Sequence, residues 1–110
     1  MITIVIPTFN EIRNISTIIN QLLIIDLSSD IEIIVVDDNS SDGTADKVRE
    51  LVHNDKRIRL INRVGRSGLS SAIKEGCLCA SGELVVVIDA DGQHEPSYIN
   101  KALNLSLIHI

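Results

Sequence analysis

Residues 84–91 read LVVVIDAD, five apolar residues followed by two aspartates that flank an alanine. The run is short, rich in β-branched residues and bounded by Gly82 and Gly92, which favours a strand buried on both faces over a helix. The carboxyl end of such a strand is where parallel α/β sheets bind ligands. Asp89 and Asp91 would repel each other there unless a cation neutralised them, and carboxylate oxygens suit Mg²⁺ or Mn²⁺. In the alternative interpretation, one aspartate caps the next helix and the other is solvated.

Three other apolar runs, residues 2–6, 31–36 and 57–61, also predict strands. Each is followed by apolar residues at helical spacing, and Pro96 opens a last helix after the fourth run. The helical positions are Ile12, Ile15, Ile19 and Leu22, then Ala45, Val48, Leu51 and Val52, then Leu69, Ala72, Ile73 and Cys77. Strands that alternate with helices predict an α/β fold with a parallel sheet and right-handed crossovers.

Polar residues follow three of these strands. Asn10 and Glu11 come after the first strand, Asp38 after the second, and Asp89 and Asp91 after the fourth. Because the carboxyl ends of parallel strands meet at one edge of the sheet, we expect these side chains to converge although they are far apart in sequence. The sequence therefore predicts one acidic site at that edge.

The composition indicates one small domain and disfavours some partners. With 110 residues the chain can form a single core, and its hydrophobic fraction of 45% comes mainly from Ile, Val and Leu, as expected of buried parallel strands. The net charge of -5 disfavours a polyanion, and Phe9 and Tyr98, the only aromatics, offer no stacking platform for nucleic acid. No stretch is apolar for long enough to span a bilayer, so we expect a cytoplasmic protein.

Four polar motifs occur in order along the chain: residues 7–11 (PTFNE), 37–44 (DDNSSDGT), 66–72 (RSGLSSA) and 89–94 (DADGQH). They resemble the motifs of family 2 glycosyltransferases, which have the GT-A fold with a Rossmann-like, nucleotide-binding parallel sheet. Within that family they are most similar to the motifs of polyprenol-phosphate (dolichol-phosphate) mannosyltransferases and related glucosyltransferases. The resemblance implies that residues 1–104 are the N-terminal, nucleotide-sugar-binding part of such a domain. We expect residues 105–110 to be a tail that is not native to it, because they do not continue the helical pattern.

The resemblance implies a hexosyltransferase. Such an enzyme would transfer mannose or glucose from a nucleotide-diphosphate sugar of the GDP-mannose or UDP-glucose type to a polyprenyl phosphate, with a polysaccharide or other envelope glycan as the alternative acceptor. A Mg²⁺ or Mn²⁺ ion would neutralise the charge that develops on the diphosphate leaving group. The resemblance assigns no catalytic base within these residues, so we expect the chain alone to be inactive. It also allows the complete protein to lie at the cytoplasmic face of a membrane.

The resemblance further assigns residues to the site. Asp89 and Asp91 match the metal-binding Asp-x-Asp of the family, and Gln93 matches a third metal ligand. Asp38 matches an acidic residue that binds the nucleotide, where a carboxylate accepts hydrogen bonds from the base or ribose. Ala90 leaves room for the donor between the two carboxylates. The other positions that match the nucleoside pocket are Pro7, Phe9, Glu11 and Val36.

Arg66 and the predicted helix start at Gly68 are candidates for phosphate binding. Unsatisfied N–H groups and the helix dipole attract anions at a helix N-terminus. In the alternative interpretation, Arg66 is an exposed loop residue without a ligand.

Several motif residues also have purely structural interpretations. Pro7 would end the first strand, and Asn10 would cap a helix that begins near Glu11. Residues 42–44 predict a turn followed by a helix start. Asn39 suits a left-handed backbone, which asparagine adopts more readily than most residues.

Three other α/β classes match the sequence less well. A non-enzymatic, Mg²⁺-binding receiver module, the alternative of another class, carries an acidic pair after its first strand, where this chain has residues 7–10 (PTFN). A phosphatase with an Asp-x-Asp nucleophile places that motif after its first strand, whereas here it follows the fourth. A dinucleotide-binding Rossmann domain would open its first helix with Gly-x-Gly-x-x-Gly, which this sequence lacks.

Overall fold

A computed structural model of the chain describes residues 1–24, 30–88 and 90. Strands and helices alternate through this part of the chain, as the sequence predicts. The elements are β1 (Ile2–Thr8), α1 (Ile15–Ile24), β2 (Ile31–Asp37), α2 (Thr44–Asn54), β3 (Ile58–Asn62), α3 (Leu69–Cys79) and β4 (Leu84–Val87). The predicted helix after Pro96 and the predicted tail at residues 105–110 lie outside the described residues.

The four strands form one sheet in the order β3-β2-β1-β4, and every neighbouring pair is parallel. The predicted parallel α/β fold is therefore confirmed. The register aligns the ends of three strands, because Thr8 pairs with Asp37 and Asp37 pairs with Asn62. The residues that follow these three positions consequently leave the sheet at one edge, which is the edge that carries the candidate site.

The sheet is covered on both faces, which explains its long runs of Ile and Val. Along β2, Ile33 and Val35 belong to the cluster that α1 and α2 cover, whereas Ile34 and Val36 belong to the cluster under α3. All four side chains are fully buried. None of the helices in the described ranges is long and apolar enough to cross a bilayer.

Pro7 lies inside β1, so the interpretation that it ends the strand is wrong. The strand continues to Thr8 and keeps its pairing with β2. The backbone of Val5 faces β4, because Val5 O accepts a hydrogen bond from Ile88 N at 3.0 Å. Pro7, two residues later, has its backbone on the same side of the strand. Pairing with the described part of β4 ends at Val5. The missing N–H of Pro7 therefore points past the paired part of β4.

The start of α1 also differs from the prediction. The helix begins at Ile15 rather than near Glu11, because a hydrogen-bonded turn comes first, in which Glu11 O accepts from Asn14 N at 3.0 Å and from Ile15 N at 2.9 Å. Asn10 is therefore not the cap of this helix, and it adopts a left-handed backbone with φ 53°. The predicted left-handed conformation of Asn39 is confirmed, with φ 54°.

Helix α3 makes its closest approach to the sheet at Gly76, which is buried. A Cβ atom added there would lie 2.5 Å from Val5 Cγ1 and 3.2 Å from Val36 Cγ2. Both valines are fully buried and β-branched, so neither can move aside easily. The absence of a side chain at Gly76 thus sets the distance between α3 and the strands that carry the site.

Gly76→Ala should destabilise the fold although alanine is the better helix former. Relief of the glycine penalty gains about 1 kcal/mol in a helix, but overpacking of a tight core costs roughly 1–3 kcal/mol. Because the clash is severe, we expect a net loss of about 1–2 kcal/mol in the free energy of unfolding, measured by urea denaturation. Lys74→Ala, at an exposed position of the same helix, is the control. Equal or greater stability of Gly76→Ala would contradict the close packing of α3.

Candidate functional site

Two loops at the carboxyl edge of the sheet are joined by hydrogen bonds. In the loop after β1, Asn10 N donates to Ser40 Oγ at 2.8 Å, and Glu11 N donates to Thr44 Oγ1 at 3.0 Å. In return, Ser41 N donates to Asn10 Oδ1 at 2.9 Å. These bonds fix the residues that follow β1 against the loop that follows β2.

Asp37, the last residue of β2, is fully buried and serves the local structure. Its carboxylate accepts hydrogen bonds from Thr8 Oγ1 at 2.7 Å, from Ser40 N at 2.9 Å and from Ser40 Oγ at 2.6 Å. The motif resemblance assigned Asp38 to the nucleotide and no role to Asp37. In the structure Asp37 holds the loop together, whereas Asp38 lies on the wall of a cavity.

Asp38 is bound by Arg63, a residue that the sequence analysis missed. Arg63 Nε donates to Asp38 Oδ1 at 2.6 Å, and Arg63 Nη2 donates to Asp38 Oδ2 at 3.2 Å. Gly68 N donates a third hydrogen bond to Asp38 Oδ2 at 3.0 Å. The Arg63 side chain is fully buried, whereas that of Asp38 keeps 12% of its surface exposed. The signal available in the sequence was an arginine directly after β3, but its pairing with Asp38 depends on the sheet register.

The other donors of Arg63 bind the first turns of α3. Nη1 donates to Ser71 Oγ at 2.9 Å and to Glu75 Oε2 at 3.1 Å, and Nη2 donates to Gly68 O at 3.1 Å. Hydrogen bonds to Asp38 and then Glu75 raise the pKa of Arg63 above its usual range. A buried guanidinium requires this degree of pairing, because an isolated charge in the interior is strongly unfavourable.

Arg66 is paired with Glu75. Its guanidinium donates from Nε to Glu75 Oε2 at 3.2 Å and from Nη2 to Glu75 Oε1, while 57% of its side chain remains exposed. The hydrogen bonds from Arg66 and then from Arg63 lower the pKa of Glu75 to about 2. Helix α3 begins at Leu69, next to the expected position. Phosphate binding by Arg66 stays a prediction.

A cavity of about 200 Å³ lies between the ends of β1 and β2 and the start of α3. Its lining residues are Pro7, Thr8, Phe9, Glu11, Asp38, Leu69 and Ala72. The structure thus brings together four of the residues proposed for the nucleoside pocket. Phe9 is 62% exposed, which is unusual for a large apolar side chain and leaves its ring open to a ligand. The sequence analysis placed Leu69 and Ala72 only on the apolar face of a helix. In the structure they form one wall of the cavity.

Two other predicted site residues, Val36 and Ala90, are not among the described lining residues of the cavity. Val36 is fully buried under α3. Ala90 is fully buried in the larger core cluster. Asp89, Asp91 and Gln93, the predicted metal ligands, lie outside the described residues. Within residues 1–24, 30–88 and 90, no three His, Cys, Asp or Glu side chains gather in a way that could hold a metal ion.

Comparison with known proteins gives a consistent result. A family model described as "Glycosyl transferase family 2" matches residues 3–106. Dolichol-phosphate mannosyltransferase from Saccharomyces cerevisiae is 35% identical over 102 residues, which covers 90% of this chain and 38% of the yeast protein. The Pyrococcus furiosus protein of the same name is 38% identical over 102 residues, covering 93% of this chain and 29% of that protein.

A solved structure shares the fold of this chain. Mannosyltransferase PcManGT from Pyrobaculum calidifontis, in complex with GDP-Man and Mn²⁺, superposes with a TM-score of 0.74 at 27% sequence identity. The match covers 90% of this chain and 30% of that one. The chain therefore spans about a third of the length of the proteins that it resembles.

The acid sensitivity of the fold should depend on Glu75. Its folded pKa of about 2 lies below its ordinary value of 4.5. The ionised carboxylate therefore contributes stability that is complete above the ordinary value and is lost as the pH falls towards 2. In Glu75→Gln this part of the acid-induced loss should disappear, so the free energy of unfolding should fall less steeply over that window than in the parent chain. Urea denaturation at a series of pH values measures it.

Glu83→Gln, at an exposed position before β4, is the control and should keep the parent's pH dependence. If Glu75→Gln lost stability as steeply as the parent below pH 4.5, the pairing of Glu75 with the two arginines would be wrong.

Proposed function

This chain belongs to glycosyl transferase family 2, and from that premise we propose that it is the donor-binding part of a hexosyltransferase. The complete enzyme transfers mannose or glucose from a nucleotide-diphosphate sugar to a polyprenyl phosphate. The curated relatives are named for dolichol phosphate and mannose, and the solved relative holds GDP-Man, which favours a guanosine donor and a mannosyl group. A polysaccharide or another envelope glycan is the alternative acceptor.

The cavity beside Asp38 is the observation that carries this proposal. It lies at the carboxyl edge of a parallel sheet, the usual ligand position in open α/β folds. Phe9 offers an exposed ring against which a base can stack, and Asp38 offers a carboxylate that accepts a hydrogen bond from a base N–H or a ribose hydroxyl. At about 200 Å³ the cavity is smaller than typical small-molecule pockets, which we take to favour one part of the donor, the nucleoside, as its occupant.

The charges of the cavity favour a metal ion as the partner of the diphosphate. Glu11 and Asp38 line it, and none of its described lining residues is Lys or Arg. Arg63 and Arg66, which lie beside Asp38 and the start of α3, both bind carboxylates of the chain itself. An anionic diphosphate next to these carboxylates would be repelled unless a divalent cation accompanied it.

Asp89, Asp91 and Gln93 are the residues that we propose to hold this cation. Their oxygen atoms are the hard ligands that Mg²⁺ and Mn²⁺ prefer. In the sequence they follow β4 closely, after Ile88. Ile88 N donates a hydrogen bond to Val5 O, near the end of β1 that borders the cavity. When bound, the ion would neutralise negative charge on the diphosphate leaving group.

Mn²⁺ should strengthen the binding of guanosine diphosphate. We expect affinity to fall about tenfold or more when a chelator replaces Mn²⁺, because the bare diphosphate then meets uncompensated carboxylates. Titration calorimetry on the folded chain measures it, with Mg²⁺ and uridine diphosphate as further arms. Guanosine, which lacks phosphates, is the matched control and should bind equally with or without metal. Equal affinity for guanosine diphosphate in both conditions would refute the metal site.

The nucleoside and metal contributions should separate by mutation. Asp38→Asn should lower the affinity for guanosine diphosphate about tenfold, because a charged acceptor is lost, but Mn²⁺ should still strengthen the binding. Asp91→Asn should remove the stimulation and leave guanosine binding intact. Asp46→Asn, at an exposed position of α2, is the control, and circular dichroism verifies that each variant is folded. The opposite assignment of effects would contradict the proposed division of the site.

A further inference from the structure

Arg63 lies next to the cavity but has no donor left for a ligand. A guanidinium carries five N–H groups. Here they make five hydrogen bonds, two to Asp38 and one each to Gly68 O, Ser71 Oγ and Glu75 Oε2. The side chain is also fully buried. Any effect of Arg63 on a bound nucleotide must therefore act through the residues that it holds.

The same contacts limit what Asp38 can accept. An ionised carboxylate has about four acceptor positions. Arg63 Nη2 and Gly68 N occupy Oδ2, and Arg63 Nε occupies one position on Oδ1. Among residues 1–24, 30–88 and 90, no further donor binds Asp38, which leaves one acceptor position on Oδ1 for a ligand. Asp38 lines the cavity and 12% of its side chain is exposed, so a ligand in the cavity can reach this carboxylate.

Arg63 also determines the opposite wall of the cavity. Its bonds to Gly68, Ser71 and Glu75 attach the first two turns of α3 to the end of β3. Leu69 and Ala72, which line the cavity, belong to these turns. One guanidinium therefore links the polar acceptor on β2 to the apolar wall on α3.

We propose that Arg63 is the positioning residue of the nucleoside cavity, which orients Asp38, restricts it to one ligand hydrogen bond and holds the first turns of α3 beside it. This assignment rests on the proposed function, because it requires that the cavity binds a nucleoside. Lysine cannot replace Arg63 in this role. An ammonium carries three donors at a single point, whereas the guanidinium bridges Asp38 and α3 with a planar array of five.

The test compares Arg63→Lys with Arg59→Lys, a matched substitution within β3, the strand that Arg63 follows. Arg59 is exposed and binds Glu32 and Cys79 O, away from the cavity. Calorimetry with the whole chain measures the affinities for Mn²⁺–guanosine diphosphate and for Mn²⁺–pyrophosphate, which lacks the nucleoside. Arg63→Lys should lower the affinity for Mn²⁺–guanosine diphosphate about tenfold and leave the affinity for Mn²⁺–pyrophosphate unchanged. Arg59→Lys should change neither affinity.

Unchanged binding of guanosine diphosphate by Arg63→Lys would overturn the proposal. An equal loss for both ligands would also overturn it, because a merely structural role would damage the whole site. If the parent chain itself bound guanosine diphosphate no better than pyrophosphate, the proposed nucleoside cavity would be wrong, and the assignment of Arg63 with it. That failure appears in the parent alone and is therefore distinguishable from a failure of the Arg63 variant.

A second variant covers the case in which Arg63→Lys does not fold. Ser71→Ala removes the hydroxyl that accepts from Arg63 Nη1 but leaves the Arg63–Asp38 pair and the charge of the cluster in place. We expect it to weaken guanosine diphosphate about threefold without affecting pyrophosphate. Ser70→Ala, at the preceding exposed position, is its control. Equal affinities of Ser71→Ala and Ser70→Ala for guanosine diphosphate would overturn the positioning role.

Discussion

The parallel register of β1, β2 and β3 is the constraint on which the site depends. Thr8, Asp37 and Asn62 lie side by side at the ends of these strands. Phe9, Asp38 and Arg63 are the residues that follow them, so the aromatic ring, the carboxylate and its guanidinium all leave the sheet at one edge. A shift of one residue in this register would exchange the two faces of a strand. Because both faces of this sheet are apolar, the main loss would be the site, where the Asp38–Arg63 pair and the cavity beside it would not form.

The buried charges at this edge form a network in which each residue compensates another. Arg63 loses its hydration and recovers interactions with Asp38 and Glu75, and Glu75 in turn binds the exposed Arg66. Removal of one partner from such a network lowers stability more than replacement of all the partners by apolar residues, because it leaves an uncompensated charge. The network costs desolvation energy, but it attaches α3 to β2 and β3 through directional bonds that apolar packing does not provide.

The fold was predictable because local patterns and tertiary structure agree. The apolar runs identified all four strands, including β3, whose run is interrupted by Arg59, and turn residues such as Asn39 and Gly43 correctly preceded α2. The contacts of Arg63 were not predictable, because they depend on which strands are neighbours and in which register, and local sequence shows neither. The structural role of Asp37 was missed for the same reason, because its partner Thr8 lies on a neighbouring strand. Pro7 was misread because its place in a central strand depends on how far β4 continues beside it.

The distribution of charge explains why such a site would bind the nucleoside and the diphosphate with two different parts of the chain. Around the cavity, Arg63 and Arg66 are already bound to carboxylates, so the residues described there present acceptors and apolar surface but no free cation. That environment suits an uncharged nucleoside and repels phosphate. On the proposed function, the diphosphate must obtain its positive charge from a metal ion held after β4 rather than from the cavity. Specificity for the nucleoside and attraction for the diphosphate then reside on different strands, and each could change without disturbing the other.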